Sequence, residues 1–169
     1  MNNARNYLIH LLLLCFIQIV VLDNIHLGSY VHVNIYIMAL FLLPYRMKGI
    51  SLLLYALGLG LLMDLMDNTT GIHAAASTLV AYVRPRLLQL TSGREAMDEA
   101  RGFIRQADFA WFFKYAFFSI LLFNTVLIFA EAFTFSNLFI SCLRILFSTL
   151  ISLLCVVLYY FIGFRKVKE

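Results

Sequence analysis

Gly58-Leu59-Gly60-Leu61-Leu62-Met63-Asp64-Leu65-Met66-Asp67-Asn68-Thr69-Thr70-Gly71-Ile72-His73-Ala74 joins two apolar runs through one short polar turn. A helix needs ~20 residues to cross the ~30 Å of hydrocarbon in a bilayer, and the runs on either side, roughly 50–66 and 72–90, approach that length. Two such runs joined by a tight turn predict a transmembrane helical hairpin. Ala56 lies four residues before Gly60, with Gly58 between them, and Ala74, Ser77 and Ala81 recur on the second run. Small side chains at helical spacing let two backbones approach closely, so packing is the expected use of all of them.

The same texture extends through the chain. Of its 169 residues 63% are hydrophobic and only 13% charged, with a mean hydropathy of +0.89. Soluble domains run at about 45–50% and 25%, so this surface requires lipid as its solvent. Further apolar runs lie at roughly 7–22, 31–44, 109–130 and 138–164. The expectation is a single all-α integral membrane domain over residues 1–169 with about six transmembrane helices. Such a composition excludes a disulfide scaffold and a separate soluble catalytic domain. Cys15, Cys142 and Cys155 all sit inside apolar runs, where a disulfide framework is not expected.

Two of the runs are unusual. The run at 31–44 is short for a helical span, and Arg84-Pro85-Arg86 interrupts the fourth. Pro44 and Pro85 are expected to end or kink their helices, while Arg84 and Arg86 snorkel toward the interface. A less tilted helix, or one borrowing Gly28–Tyr30, accounts for the short run better than a re-entrant segment does.

Charge sets the orientation. The 13 Lys and Arg fall at the N-terminus, at Arg46 and Lys48, between Arg84 and Lys114, and at the C-terminus, with Arg144 the exception. Six crossings place those clusters on one side, which by the positive-inside rule is cytoplasmic, together with both termini. On a chain this apolar the excess of cations reads as orientation and not as a nucleic-acid surface. Within the longest loop, Ser92 and Glu95 have capping-box spacing, and Met97, Ala100, Phe103 and Ile104 share one face. A cytoplasmic amphipathic helix over roughly 93–106 is expected to lie on the inner leaflet.

No catalytic signature is present: there is no H-E-x-x-H, G-x-S-x-G, Walker loop or G-x-G-x-x-G. The polar residues that stand out are Asp64, Asp67, His73, Arg144 and Asn34. Asp64 and Asp67, three apart, share a helix face and with His73 could hold a metal or a proton, but a polar turn at a helix end is the plainer reading. Arg144 lies about two turns into its span and needs a partner or a path to water. Asp64 is the first candidate for that partner and Glu131 the second. Asn34, Asn124, Gln18, Ser148 and Thr149 can bond across helices. No metal, cofactor or catalytic residue is expected.

These residues also carry a resemblance. Gln18 through Asp23, Val33-Asn34, Arg46, Gly58 through Leu65, Thr70 through Ala74 and Leu79 through Tyr82 resemble the MreD family of rod shape-determining membrane proteins. The likeness covers the first half of the chain; beyond Arg86 only span count and length agree. It departs at Asn68-Thr69-Thr70, where the family often has small residues and glycine, and in the length of the charged loop Arg94–Arg105. The resemblance implies a non-catalytic protein of the bacterial inner membrane, part of the cell-elongation machinery. Such a protein would bind the transmembrane helix of MreC and act with MreB and the cell-wall synthases in side-wall peptidoglycan synthesis. It also implies a fold similar to the substrate-binding S component of energy-coupling-factor transporters, and homo-oligomers stay open. The rival reading is a vitamin-binding transporter component.

Overall fold

The computed structural model describes residues 10–20 (except 12 and 19), 32–44, 47–91, 109–132 and 138–164. Among these residues the protein is all-helical. Helix α1 occupies 10–20 and α2 is a single turn, Met38–Phe41. The long helices are α3 (Gly49–Asp67), α4 (Ile72–Thr91), α5 (Phe109–Ala132) and α6 (Leu138–Phe164). Within them Gly49–Asp67, Phe109–Glu131 and Phe139–Ile162 are long and apolar enough to cross a membrane. The protein is therefore membrane-embedded. The expected cytoplasmic helix, with Ser92, Glu95, Met97, Phe103 and Ile104, lies outside the described residues.

The long helices alternate in direction. Phe112 near the start of α5 stacks on Tyr160 near the end of α6 at 4.4 Å between ring centroids, while Glu131 at the end of α5 meets Arg144 near the start of α6. The bundle consequently has two chemically distinct ends. Lys48, Arg84, Arg86 and Lys114 belong to one, the basic end; Asp64, Asp67 and Glu131 belong to the other, the acidic end, where Arg144 joins them.

α5 is the interior helix. Half of its most apolar window is buried, against a third for α3 and α6. Phe112, Tyr115, Ala116, Ile120, Phe123, Leu127 and Ile128 are wholly buried, and their three-and-four spacing makes one continuous core stripe. The exposed faces are equally apolar, with Leu54, Leu61 and Leu65 on α3 and Phe147, Leu150 and Leu154 on α6. Lipid is the solvent that such faces suit.

The run at 31–44 is not a helical span. Among its described residues only Met38–Phe41 is α-helical, and the stretch from His32 to Ile35 is irregular, although residues 33–43 are all buried. Length supplies the reason. His32 lies beside Glu131, Asn34 bonds Asn124, and Phe41 packs on Tyr115 at 5.0 Å. The chain thus runs alongside α5 between residues sixteen positions apart, about 24 Å at ~1.5 Å per residue. As a helix, His32 to Phe41 would cover only about 14 Å. Unwound residues advance up to about 3.3 Å each, so a partly unwound passage covers the distance that a helix of this length cannot.

Unwinding leaves backbone groups that lipid cannot satisfy. Side chains of the surrounding helices take up five of them between His32 and Ile35. Gln18 on α1 donates from Nε2 to the Val33 carbonyl (2.8 Å) and accepts from the Ile35 amide (2.9 Å). Ser148 and Ser152 on α6 accept from the amides of His32 (3.1 Å) and Asn34 (3.0 Å). Asn34 then donates to Asn124 (3.2 Å), which donates to Thr149 (3.3 Å). At the basic end Arg84 does not snorkel. It is 2% exposed and donates to the Leu43 carbonyl (2.6 Å) and the Tyr115 hydroxyl (3.3 Å). The carbonyls just past a helix C-terminus attract a cation, and α2 ends two residues before Leu43. Pro85 neither ends α4 nor stops it short of Thr91.

α3 and α4 form the hairpin. At Gly60 a Cβ would stand 2.3 Å from the Ala74 Cα and 2.6 Å from the His73 carbonyl oxygen, so the two backbones touch there. Ala56, Ala74, Ser77 and Ala81 are buried around the contact. Gly58 is different: it is exposed, and among the described residues a Cβ there would meet nothing within 4 Å, so it does not pack against them. Gly60→Ala is expected to lower the thermal midpoint in detergent by about 5–10 °C, because the obstacle is backbone. Gly58→Ala, which adds helix propensity in open space, is expected to leave it unchanged or raise it slightly. Differential scanning fluorimetry of the two variants checks the pair.

Candidate functional site

The acidic end is built on the turn that closes the hairpin. Asn68 adopts the left-handed conformation (φ 54°) that ends α3, and Gly71 follows with φ 87°, a value that favours glycine. The amides of Asn68 and Thr69 both return to the Asp64 carbonyl. The Asp64 side chain then reaches across the turn. Its Oδ1 accepts the His73 amide (3.0 Å) and the Thr69 hydroxyl, and its Oδ2 accepts the Ala74 amide (2.9 Å). The first amides of a helix have no partner within it and carry the positive end of its dipole. A carboxylate three residues before the end of α3 thus caps α4, ten residues further along the chain.

This use of Asp64 overturns the expected pairing with Arg144. Arg144 Nη2 lies 3.4 Å from Glu131 Oε2 and 3.1 Å from His32 Nε2. Geometry explains the preference. Glu131 ends the adjoining helix α5, while the Asp64 oxygens are turned into the α3–α4 junction. His32, to which the sequence assigned no role, sits between them, with Nε2 3.3 Å from Glu131 Oε2. No periodicity marks this histidine, because it opens a passage that is not helical.

His73 is 5% exposed on the first turn of α4. Its Nε2 lies 3.3 Å from Asp67 Oδ2, and its Nδ1 lies 3.0 Å from the Tyr36 hydroxyl. One tautomer serves both contacts: Nε2–H donates to Asp67 while the Tyr36 hydroxyl donates to Nδ1. Tyr36 in turn meets Phe123 edge-on at 5.7 Å. The structure therefore brings Asp64, Asp67, His73 and Arg144 to one end of the bundle, whereas Asn34 lies deeper, among Asn124 and Ser152.

These groups can hold protons and position helices. Among the described residues no cluster of His, Cys, Asp and Glu has the arrangement of a metal site. Compared with protein-family models, curated proteins and solved structures, the chain matches none.

Asp64→Ala is expected to cost about 1–3 kcal/mol, since it strands two buried amides. Combined with Arg144→Met, its effect should add to within about 0.5 kcal/mol, as for groups that are not partners. Denaturant titration of the two single variants and the double variant in detergent measures the coupling; a larger interaction energy would restore the Asp64–Arg144 pairing.

Proposed function

We propose that the protein is a non-catalytic inner-membrane scaffold of the bacterial cell-elongation machinery. In this reading it binds the transmembrane helix of MreC and helps regulate cell shape and side-wall peptidoglycan synthesis, with MreB and the cell-wall synthases as further partners. One observation carries this reading over a transporter component. Among the described residues, the polar side chains at and just below the acidic end are engaged in holding the bundle: Asp64 with the start of α4, His73 with Tyr36 and Asp67, Arg144 with Glu131, and Asn34 with Asn124. The apolar outer faces of α3 and α6 offer lateral surface to another helix in the bilayer. The resemblance of the first half of the chain to the MreD family supplies the identity of the partner.

The orientation belongs to the same proposal. Lys48, Arg84, Arg86 and Lys114 at the basic end face the cytoplasm, the acidic end faces outward, and both termini are cytoplasmic. Six crossings, of which the second is the unwound passage, give an arrangement similar to an energy-coupling-factor S component. That similarity concerns architecture alone, since function lives in sites and not in folds.

Affinity purification of the tagged protein from bacterial membranes in mild detergent tests the reading. The expected result is a stoichiometric single-span protein with a periplasmic coiled coil. A vitamin-like small molecule released on denaturation, with no such protein, would replace the scaffold reading with the transporter one.

A further inference from the structure

His32 presents one ring nitrogen to two groups that make opposite demands on it. Its Nε2 lies 3.1 Å from Arg144 Nη2 and 3.3 Å from Glu131 Oε2. A guanidinium only donates, so the Arg144 contact needs Nε2 bare, whereas a carboxylate accepts, so the Glu131 contact needs Nε2 to carry a hydrogen. One nitrogen cannot meet both demands at once. We propose that His32 is a proton-operated switch at the acidic end of the bundle. Without the proton, the neutral ring carries its hydrogen on Nδ1, so Nε2 is bare, accepts from Arg144 and ties the unwound passage to α6. With a proton taken from the solvent on that side, Nε2 donates to Glu131 and ties the passage to α5.

The surroundings suit both states. Arg144 and Glu131 lie 3.4 Å apart, so each keeps the other whichever contact His32 makes. The His32 side chain is 35% exposed, which gives protons access. Charged and titratable groups face it from every neighbouring long helix: Glu131 from α5, Arg144 from α6, Asp67 from α3, and His73 of α4 beyond Asp67. Among the described residues at this end, with both imidazoles neutral, the carboxylates of Asp64, Asp67 and Glu131 outnumber the Arg144 guanidinium, so an added positive charge on His32 is compensated. Histidine is the side chain that ordinarily changes charge between about pH 5 and 8.

Position gives the switch its consequence. The His32 amide donates to Ser148 Oγ, and its carbonyl accepts from Ser152 Oγ at 3.5 Å, both on α6. The ring therefore stands where the passage enters between α5 and α6, and its choice of partner sets how that entrance is shared. The inference rests on these contacts and not on the scaffold reading.

Nuclear magnetic resonance of the full chain in lipid nanodiscs, with ¹⁵N-labelled histidine, tests it between pH 8 and 5. The His32 Nε2 resonance is expected to move from the bare to the protonated range as pH falls. Glu131→Gln removes the anion that favours the protonated ring and is expected to lower the midpoint by about one pH unit. Arg144→Gln removes the donor to the bare nitrogen, together with a nearby positive charge, and is expected to raise the midpoint by a similar amount. The proposal is overturned if Nε2 stays in one state throughout, or if both variants leave the midpoint within about 0.3 unit. Should a variant lose its native His73 resonance, the titration of the unaltered chain decides alone, on the first of those criteria.

Discussion

A buried backbone amide in a membrane protein has no water to fall back on, and the His32, Asn34 and Ile35 amides and the His32 and Val33 carbonyls have no helix of their own to satisfy them. Side chains of the helices around that segment supply partners to these five groups. Gln18 bonds the Val33 carbonyl and the Ile35 amide as a neighbouring strand would, and Ser148 and Ser152 take the next amides from the opposite side. An unsatisfied group in such a setting costs several kcal/mol, so these side chains fix α1 and α6 against the passage. α5 runs behind it, with Asn124 joining Asn34 to Thr149. The short length of the run requires the unwinding, the unwinding requires the polar side chains, and their positions set where the surrounding helices stand.

The two ends of the passage follow the same logic with charges. At the basic end Arg84 is drawn into the interior because the Leu43 carbonyl, just past α2, and the Tyr115 hydroxyl give its guanidinium acceptors. At the acidic end Asp64 satisfies the start of α4, and Glu131, Arg144 and His32 close the far side. The contact of Gly60 with Ala74 brings the α3 and α4 backbones together, close to the point where the carboxylate must reach the α4 amides.

Helices that span by hydrophobicity alone were legible in the sequence, because a long apolar run in lipid has few alternatives to a helix. Gly49–Asp67, Phe109–Ala132 and Leu138–Phe164 fall within a residue or two of the runs read from residue order. The small residues around Gly60 were legible for a similar reason, although spacing could not separate Gly60, which meets backbone, from Gly58, which meets nothing. What escaped were interactions created by tertiary structure. Asp64 acquires its role only once the turn has brought the start of α4 beside it, so depth alone suggested Arg144 instead. Arg84 looked ready to snorkel because its acceptors belong to elements remote in sequence. The unwound passage left one trace: a buried run too short for a helix, in a chain whose Gln18, Ser148 and Ser152 lie within hydrophobic helices.

The backbone conformation of the second apolar run measures the central claim directly. Solid-state ¹³C chemical shifts of the full chain in lipid bilayers report it residue by residue. The account predicts non-helical Cα and carbonyl shifts from His32 to Ile35, followed by helical values from Met38 to Phe41. Helical shifts running unbroken from His32 to Phe41 would contradict it, since a helix of that length falls about 10 Å short of the distance these residues cover.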